Sequence, residues 1–258
     1  MDKREKAYLF GPFFGEVSWE YFRFAPYMIY LKKQEPEKKF IVLTRASRFD
    51  FYGKHADVLV PLNIPDEADY KQVAFKLVGI DDRICEDIIE AFISRYSDNL
   101  NIVKHFIPDT SYLRFNLKWQ FPRSQMDYDF IPRAFNTSII NHFFKKPNMI
   151  FLDDDVKVRS AKHNVIKSYD FMEKIETVID SRRNSYFGCL IELLKKCDYV
   201  VSNISSDIGR LALLLKKPLI YVNRKANSDS ISILNPYRTP VIDCEKVEDG
   251  VKFYENNF

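Results

Sequence analysis

The chain has 258 residues, and its hydrophobic content of 46% is enough to build a sizeable core, which excludes a disordered protein. Its 39 basic and 36 acidic residues nearly cancel, so a formal net charge of +3 gives no indication of a nucleic-acid-binding surface. Four widely spaced cysteines argue against a disulfide framework or a zinc site, and the absence of a signal peptide or an apolar span predicts a cytoplasmic protein.

The first part of the chain alternates predicted strands and helices. Short apolar runs predict strands at 7–10, 40–44 and 57–62. Helical spacing of apolar residues predicts helices at 17–33, 70–78 and 83–96. Residues 100–145 contain Pro108, Pro122 and Pro132, and no element is assigned there. This part of the chain predicts a Rossmann-like lobe, residues 1–146.

The second part of the chain restarts the same pattern. The predicted strands are 149–152, 199–201 and 219–222, and the predicted helices are 184–197, 207–215 and 247–254. The segment 165–179 stays undecided between helix and strand. The expected fold is therefore α/β, with two Rossmann-like lobes facing a cleft. The second lobe is residues 147–258, and its last helix is expected to pack back on the first lobe.

The segment from Asp198 to Pro218 carries the clearest functional pattern. A strand ends at Ser202, and a helix opens at Ser205, Ser206 and Asp207, so unpaired backbone N–H groups would point towards the carboxyl end of the sheet. Such a helix start binds phosphate, and Arg210 lies one turn further on. The same three residues also fit an ordinary helix cap. The local sequence alone favours the cap.

The loop after the first strand carries the second pattern. Gly15 permits close backbone approach at a turn from strand to helix, and Glu16 follows it where a carboxylate could act as a general base. Glu16 equally fits a first-turn acid that is stabilised by the helix dipole. Glu20 is expected to be an ordinary surface residue.

Taken together, these two patterns resemble the lipopolysaccharide heptosyltransferases, inverting glycosyltransferases of the GT-B type. The residues that carry the resemblance are Gly15-Glu16-Val17, Ala25-Pro26, Leu31-Lys32-Lys33, Pro36 and the run 40–43, followed by the segment 198–218. They stand in the family's order and at similar spacing, and cover about a third of the chain. The departures are Glu16 where the family has Asp, Arg210 where it has His, and Asp207-Ile208 where it has Gly-Pro.

The resemblance implies a glycosyltransferase that uses a nucleotide sugar, with Glu16 as the general base of an inverting reaction. It implies that Gly15, Ser205, Ser206, Asp207 and Arg210 lie at the donor and its diphosphate. Lys157 and Arg159, in the loop after the second lobe's first strand, are added as phosphate partners. No cofactor and no divalent metal are expected. The acceptor is not identified: a glycan and a modified DNA base, as in phage enzymes, both stay open, as does peripheral contact with a membrane.

Several alternatives remain open from the residues themselves. Asp153 and Asp155 follow a strand with the spacing by which GT-A transferases hold Mn²⁺ or Mg²⁺. The scaffold could also bind a nucleotide or glycan without catalysis. A nucleotide-sugar epimerase is disfavoured because no G-x-G-x-x-G follows the first strand. His163 could contact a donor, although an exposed histidine with no function is the preferred interpretation.

Overall fold

The structure is a computed structural model, and its described residues form two compact units, Met1–Arg133 and Ala134–Phe258. It describes residues 5–13, 17, 20–62, 82–96, 98–106, 123–153, 158, 160, 162–180, 185–202, 207–221, 235–244 and 246–257, with the backbone alone for 82–86. Each unit contains one parallel sheet. The α/β fold class predicted from the sequence is therefore confirmed.

The first unit is organised around four parallel strands. They are β1 (Glu5–Phe10), β2 (Lys39–Thr44), β3 (Val58–Pro61) and β4 (Leu100–Phe106), in the order β3-β2-β1-β4. In the register, Leu9 of β1 lies opposite Ile41 of β2. β1 and β2 are buried apolar strands, as parallel strands covered on both faces are. Because the strands are parallel, their carboxyl ends lie along one edge of the sheet.

The helix predicted at 17–33 is divided in two. A π-helix covers Glu20–Phe24, and α1 (Ala25–Gln34) follows it directly. Pro26 lies in the first turn of α1, where its missing N–H removes no intrahelical hydrogen bond. Two 3₁₀ segments, Ala46–Phe51 and Gly53–His55, connect β2 to β3, and α2 (Asp82–Tyr96) precedes β4. The predicted helix at 70–78 lies outside the described residues.

The second unit contains five parallel strands. They are β5 (Met149–Leu152), β6 (Asn164–Lys167), β7 (Cys197–Ser202), β8 (Leu219–Tyr221) and β9 (Val241–Asp243), in the order β6-β5-β7-β8-β9. β5 and β7 lie inside the sheet and are almost entirely buried. The undecided segment 165–179 contains the end of β6 and then a helix, because its pattern changes from strand to helix within a few residues.

Five helices of the second unit are described. They are α3 (Ala134–Phe143), α4 (Ser168–Glu176), α5 (Tyr186–Lys196), α6 (Asp207–Leu214) and α7 (Val247–Asn257). α3 packs on α5, and Thr137 Oγ1 donates to Glu192 Oε2 over 2.8 Å. This packing places α3 in the second unit, so that unit begins after Arg133, whereas the sequence predicted the boundary after Lys146.

The last helix packs within its own unit. α7 lies against β8, and its Val247 and Val251 join a buried cluster with Ile150, Tyr199 and Ile220. Gly250 allows the close approach, because a Cβ there would lie 2.6 Å from Ile220 Cγ2 and 2.8 Å from Cys244 Sγ. Among the described segments, no helix is both long and apolar enough to span a bilayer.

Candidate functional site

The carboxyl edge of the second sheet brings together polar side chains from two neighbouring strands. Asp153 follows β5, and its backbone N–H donates to Val201 O over 2.9 Å, which continues the sheet by one residue. Ser202, the last residue of β7, donates from Oγ to Asp153 Oδ2 over 2.5 Å. Ser202 is 1% exposed. The hydroxyl therefore holds the Asp153 carboxylate in one orientation at the edge where ligands of open α/β sheets bind.

Asp207 and Arg210 lie in the first turn of α6, five and eight residues beyond the end of β7 at Ser202. Arg210 Nη1 is 3.6 Å from Asp207 Oδ1, which is a spacing of one helical turn. The Asp207 side chain is 10% exposed and that of Arg210 is 29% exposed. Arg210 Nε is buried and has no hydrogen-bond partner among the described residues. The guanidinium therefore balances the charge of Asp207 and retains a further donor.

Tyr186 is the residue of this site that the sequence did not indicate. It begins α5, where Ser185 caps the helix by accepting from Gly188 N over 3.0 Å. Burial, and then the negative charges of Asp153 and Asp207, raise the pKa of the Tyr186 phenol. The phenol therefore stays protonated and lies within electrostatic reach of both carboxylates. Its position at a predicted helix start was the available signal, but nothing in the sequence placed Tyr186 near Asp153 and Asp207.

The arrangement combines an anion-attracting helix start with two carboxylates. A helix N-terminus and an arginine favour a phosphate, whereas Asp153 and Asp207 disfavour one unless their charges are balanced. The Arg210–Asp207 contact supplies part of that balance, whereas Ser202 donates a hydrogen bond to Asp153 without changing its net charge. Among the described side chains, no three His, Cys, Asp or Glu residues are grouped closely enough to hold a metal ion.

Most of the predicted site residues lie outside the described residues. These are Gly15, Glu16, Asp155, Lys157, Arg159, Ser205 and Ser206. Asp207, Arg210 and Asp153 are described, and all three lie at the carboxyl edge of the second sheet. The roles assigned to all of these residues from the sequence stay predictions.

Glu20 is not a surface residue, so the expectation for it was wrong. It is fully buried in the π-helix Glu20–Phe24, beside the carboxyl end of β2. Its carboxylate accepts hydrogen bonds from Thr44 Oγ1 at 2.5 Å, Tyr52 Oη at 2.7 Å and Arg48 Nη1 at 2.9 Å. All three donors are fully buried as well. The donors stand 24 to 32 residues away in the chain, so local sequence could not reveal them.

The buried charges of this network shift each other's ionisation. Burial raises the pKa of Glu20, and the charge of Arg48 and the three hydrogen bonds oppose that rise. Burial and the neighbouring Glu20 also raise the pKa of the Tyr52 phenol well above its ordinary value. The phenol therefore stays protonated at neutral pH and donates its hydrogen bond to Glu20.

His163 lies at the opposite edge of the second sheet from Asp153. It precedes β6, and its Nδ1 is 3.1 Å from Glu255 Oε1 while its Nε2 is 3.5 Å from Asp198 Oδ2. Its side chain is 13% exposed, so the expectation of an ordinary exposed histidine was wrong. Ser160 Oγ also donates to Glu255 Oε1. Ser160 and His163 thus hold α7 through Glu255, and His163 lies at the amino ends of the strands rather than at their carboxyl ends.

Comparison with known proteins identifies the fold. An E. coli ADP-heptose lipopolysaccharide heptosyltransferase II matches over 98% of this chain and 97% of its own, with 12% identity and a TM-score of 0.50. An E. coli heptosyltransferase solved with ADP matches over 98% of this chain and 100% of its own, with 12% identity and a TM-score of 0.49. A family 9 glycosyl transferase from Veillonella parvula matches over 100% of this chain and 92% of its own, with 10% identity and a TM-score of 0.46.

The sequence comparisons add no family assignment. No protein-family model matches the chain, and no curated protein matches it. The first of the three structures confirms the fold that the resemblance implied.

Proposed function

We propose that this protein is a glycosyltransferase that moves a sugar from a nucleotide-sugar donor to an acceptor hydroxyl. The observation that carries the proposal is the start of α6, where Asp207 and Arg210 follow the carboxyl end of β7 and lie 3.6 Å apart. Open α/β sheets bind nucleotides at this edge, and a helix start with an arginine suits a diphosphate. The likeness to the heptosyltransferase II fold supports a transferase on this scaffold.

In the proposed reaction, Glu16 removes the proton from the acceptor hydroxyl as that oxygen attacks the anomeric carbon of the donor. The bond between the sugar and the diphosphate breaks, and the nucleoside diphosphate leaves with the bonding electrons. Arg210, the N-terminus of α6, Lys157 and Arg159 stabilise the charge that develops on it. The configuration at the anomeric carbon inverts. Gly15, Ser205 and Ser206 are assigned to the same site.

The reaction is proposed to need no divalent metal. The competing proposal, in which Asp153 and Asp155 hold Mn²⁺ or Mg²⁺, predicts that EDTA abolishes transfer and that added metal restores it. Unchanged turnover in EDTA supports the metal-independent reaction.

Calorimetric titration tests the donor site directly. ADP, UDP and GDP are titrated separately, and ADP compounds come first because the E. coli enzyme of the same fold is named for ADP-heptose. Binding of one nucleotide at micromolar concentration supports the proposal. If none of them binds, the donor assignment fails. Each corresponding nucleotide sugar is then incubated with the protein, and release of the nucleoside diphosphate is measured.

The same assay separates catalysis from binding alone. Release of nucleoside diphosphate supports a transferase, even where water is the acceptor. Binding without release, across glycan and DNA acceptors, supports a noncatalytic binding protein on the same scaffold. Glu16→Gln is expected to bind the nucleotide normally and to lose release, and full activity in that variant would exclude Glu16 as the base.

A further inference from the structure

A cavity of about 190 Å³ lies at the amino edge of the first sheet, beside the end of α2. The first residue of each of the four strands lines it: Glu5 of β1, Lys39 of β2, Val58 of β3 and Leu100 of β4. Because the strands are parallel, this edge is opposite to the one at which their carboxyl ends lie. The cavity is therefore separate from the carboxyl edge, where ligands of open α/β sheets usually bind.

The walls of the cavity are apolar. Ile41 is fully buried and Phe92 of α2 is 7% exposed, and both belong to one core cluster of the first unit. Val58 and Leu100 are half-buried and pack against the same cluster. An apolar cavity of about 150 Å³ in another protein holds benzene. The walls thus fit one aromatic ring or a branched aliphatic chain, whereas larger ligands need pockets of about 300 Å³ or more.

The mouth of the cavity carries one charge of each sign. Lys39 Nζ lies 2.8 Å from Glu5 Oε2, and the two side chains are 28% and 58% exposed. Tyr96 and Asn99 also line the cavity and are exposed, and the Tyr96 ring lies 4.6 Å from the ring of Phe92. An exposed ion pair contributes little to stability, so both charged groups can pair with a ligand instead at small cost.

These two charges favour one class of ligand. A ligand with a carboxylate alone would pair with Lys39 but be repelled by Glu5, and a ligand with an ammonium alone would pair with Glu5 but be repelled by Lys39. A zwitterion pairs with both residues. An apolar α-amino acid carries its carboxylate and its ammonium on the carbon that bears its side chain. Its charges can therefore stay at the mouth while the side chain enters the cavity.

We propose that the cavity is a binding site for an apolar α-amino acid with a side chain of the size of leucine or phenylalanine. The side chain of the ligand lies against the apolar walls, and its charged groups pair with Lys39 and Glu5. The proposal does not rest on the proposed function, because the site uses neither the second unit nor a nucleotide.

Ligand-observed NMR titration of the full chain tests this site. L-phenylalanine and L-leucine are expected to bind with a dissociation constant of about 1 mM, which suits ligands of this size. Phenylpropionate, which lacks the ammonium, and phenethylamine, which lacks the carboxylate, are expected to bind about fivefold more weakly than phenylalanine. Failure of both amino acids to bind would overturn the proposal, and so would an analogue that binds as tightly as phenylalanine.

Lys39→Gln tests the charged mouth. This variant should weaken the binding of phenylalanine about fivefold, and phenylalanine should lose its advantage over phenethylamine because only Glu5 remains to pair. The matched control is Lys38→Gln. Lys38 lies 3.4 Å from Glu37 in another ion pair but does not line the cavity, so its replacement should leave the affinity unchanged. Equal effects of the two variants would contradict the proposal, because net charge alone would then explain the binding.

Val58→Phe tests the apolar part of the cavity. The larger side chain is expected to fill the space, so the binding of both amino acids should be lost, and thermal unfolding shows whether the variant is folded. Lys39→Gln changes only the mouth, so it keeps the test valid if Val58→Phe does not fold. Wild-type affinity in folded Val58→Phe would place the ligand elsewhere and overturn the proposal.

Discussion

Ser202 and Asp153 are joined by a hydrogen bond of 2.5 Å between the hydroxyl of one strand end and the carboxylate that follows the next strand. β5 and β7 are neighbours in the sheet but are separated by more than 40 residues in the chain. The bond lies where the nucleotide is proposed to bind. Loss of this hydrogen bond should therefore affect both the stability of the second unit and the proposed donor site.

Replacing Ser202 by alanine removes this hydrogen bond, so the half-buried carboxylate of Asp153 loses the hydroxyl that donates to it. We expect Ser202→Ala to lower the free energy of unfolding by about 1–3 kcal/mol, because a half-buried charged group loses a hydrogen-bond partner. The nucleotide should also bind more weakly. Urea unfolding and calorimetric titration measure the two effects. The control is Ser138→Ala on exposed α3, which should change stability by less than about 0.5 kcal/mol. Equal stabilities of the two variants would contradict the prediction.

Arg210 is expected to contribute more to nucleotide binding than to folding. Arg210→Gln removes the charge beside Asp207, so the affinity for the nucleoside diphosphate should fall about tenfold or more. Arg210→Lys keeps the charge but loses the planar pair of donors, and its affinity should be intermediate. Titration of each variant gives the dissociation constants. The control is Lys195→Gln on α5, where the side chain is 37% exposed. If Arg210→Gln binds the nucleotide with wild-type affinity, Arg210 does not belong to the donor site.

Glu255 should make the stability of the second unit depend on acid pH. The hydrogen bond from Ser160, and then that of His163, lowers the pKa of Glu255. A carboxylate whose pKa is lower in the folded state stabilises it above the unfolded value of about 4.3, and that stabilisation is lost as the pH falls through the folded value. Glu255→Gln should therefore be less stable than wild type at pH 7, and the difference should shrink below about pH 4.

Urea unfolding of wild type and Glu255→Gln between pH 3 and pH 7 measures this dependence. Glu248→Gln, an exposed change on the same helix, is the control because it leaves the contacts of Glu255 in place. A constant difference between wild type and Glu255→Gln across the range would show that the Glu255 carboxylate is not stabilised by its partners.

Gly250 is expected to be required for the packing of α7. Alanine normally favours a helix over glycine by about 1 kcal/mol. Here its Cβ would lie 2.6 Å from Ile220 Cγ2, a methyl group next to the strand backbone that cannot move away easily. Gly250→Ala should therefore lower the free energy of unfolding by about 1–3 kcal/mol. Thermal unfolding measures this loss of stability. Partial recovery of stability is expected when Gly250→Ala is combined with Cys244→Ala. A higher unfolding temperature for Gly250→Ala alone than for wild type would contradict the close contact.

Much of the fold could be predicted because patterns of neighbouring residues indicate its strands and helices. The apolar run at 40–43, the helical spacing at 184–197 and the change from strand to helix near 202–207 appear in the structure as β2, α5 and the step from β7 to α6. Strands β4 and β9 were not predicted. β4, at the edge of its sheet, is interrupted by Asn101, Lys104 and His105, and β9 has three residues, so neither forms a long apolar run.

The sequence by itself determined the alternation of strands and helices and the order of two functional patterns, because both depend on neighbouring residues. Only the tertiary structure decided which distant groups meet. It placed Glu20 among Thr44, Arg48 and Tyr52, and it placed Tyr186 within reach of Asp153 and Asp207. A glutamate at the start of a helix looks the same in the sequence whether water or a buried arginine faces it. The order of parallel strands decides which of the two it meets.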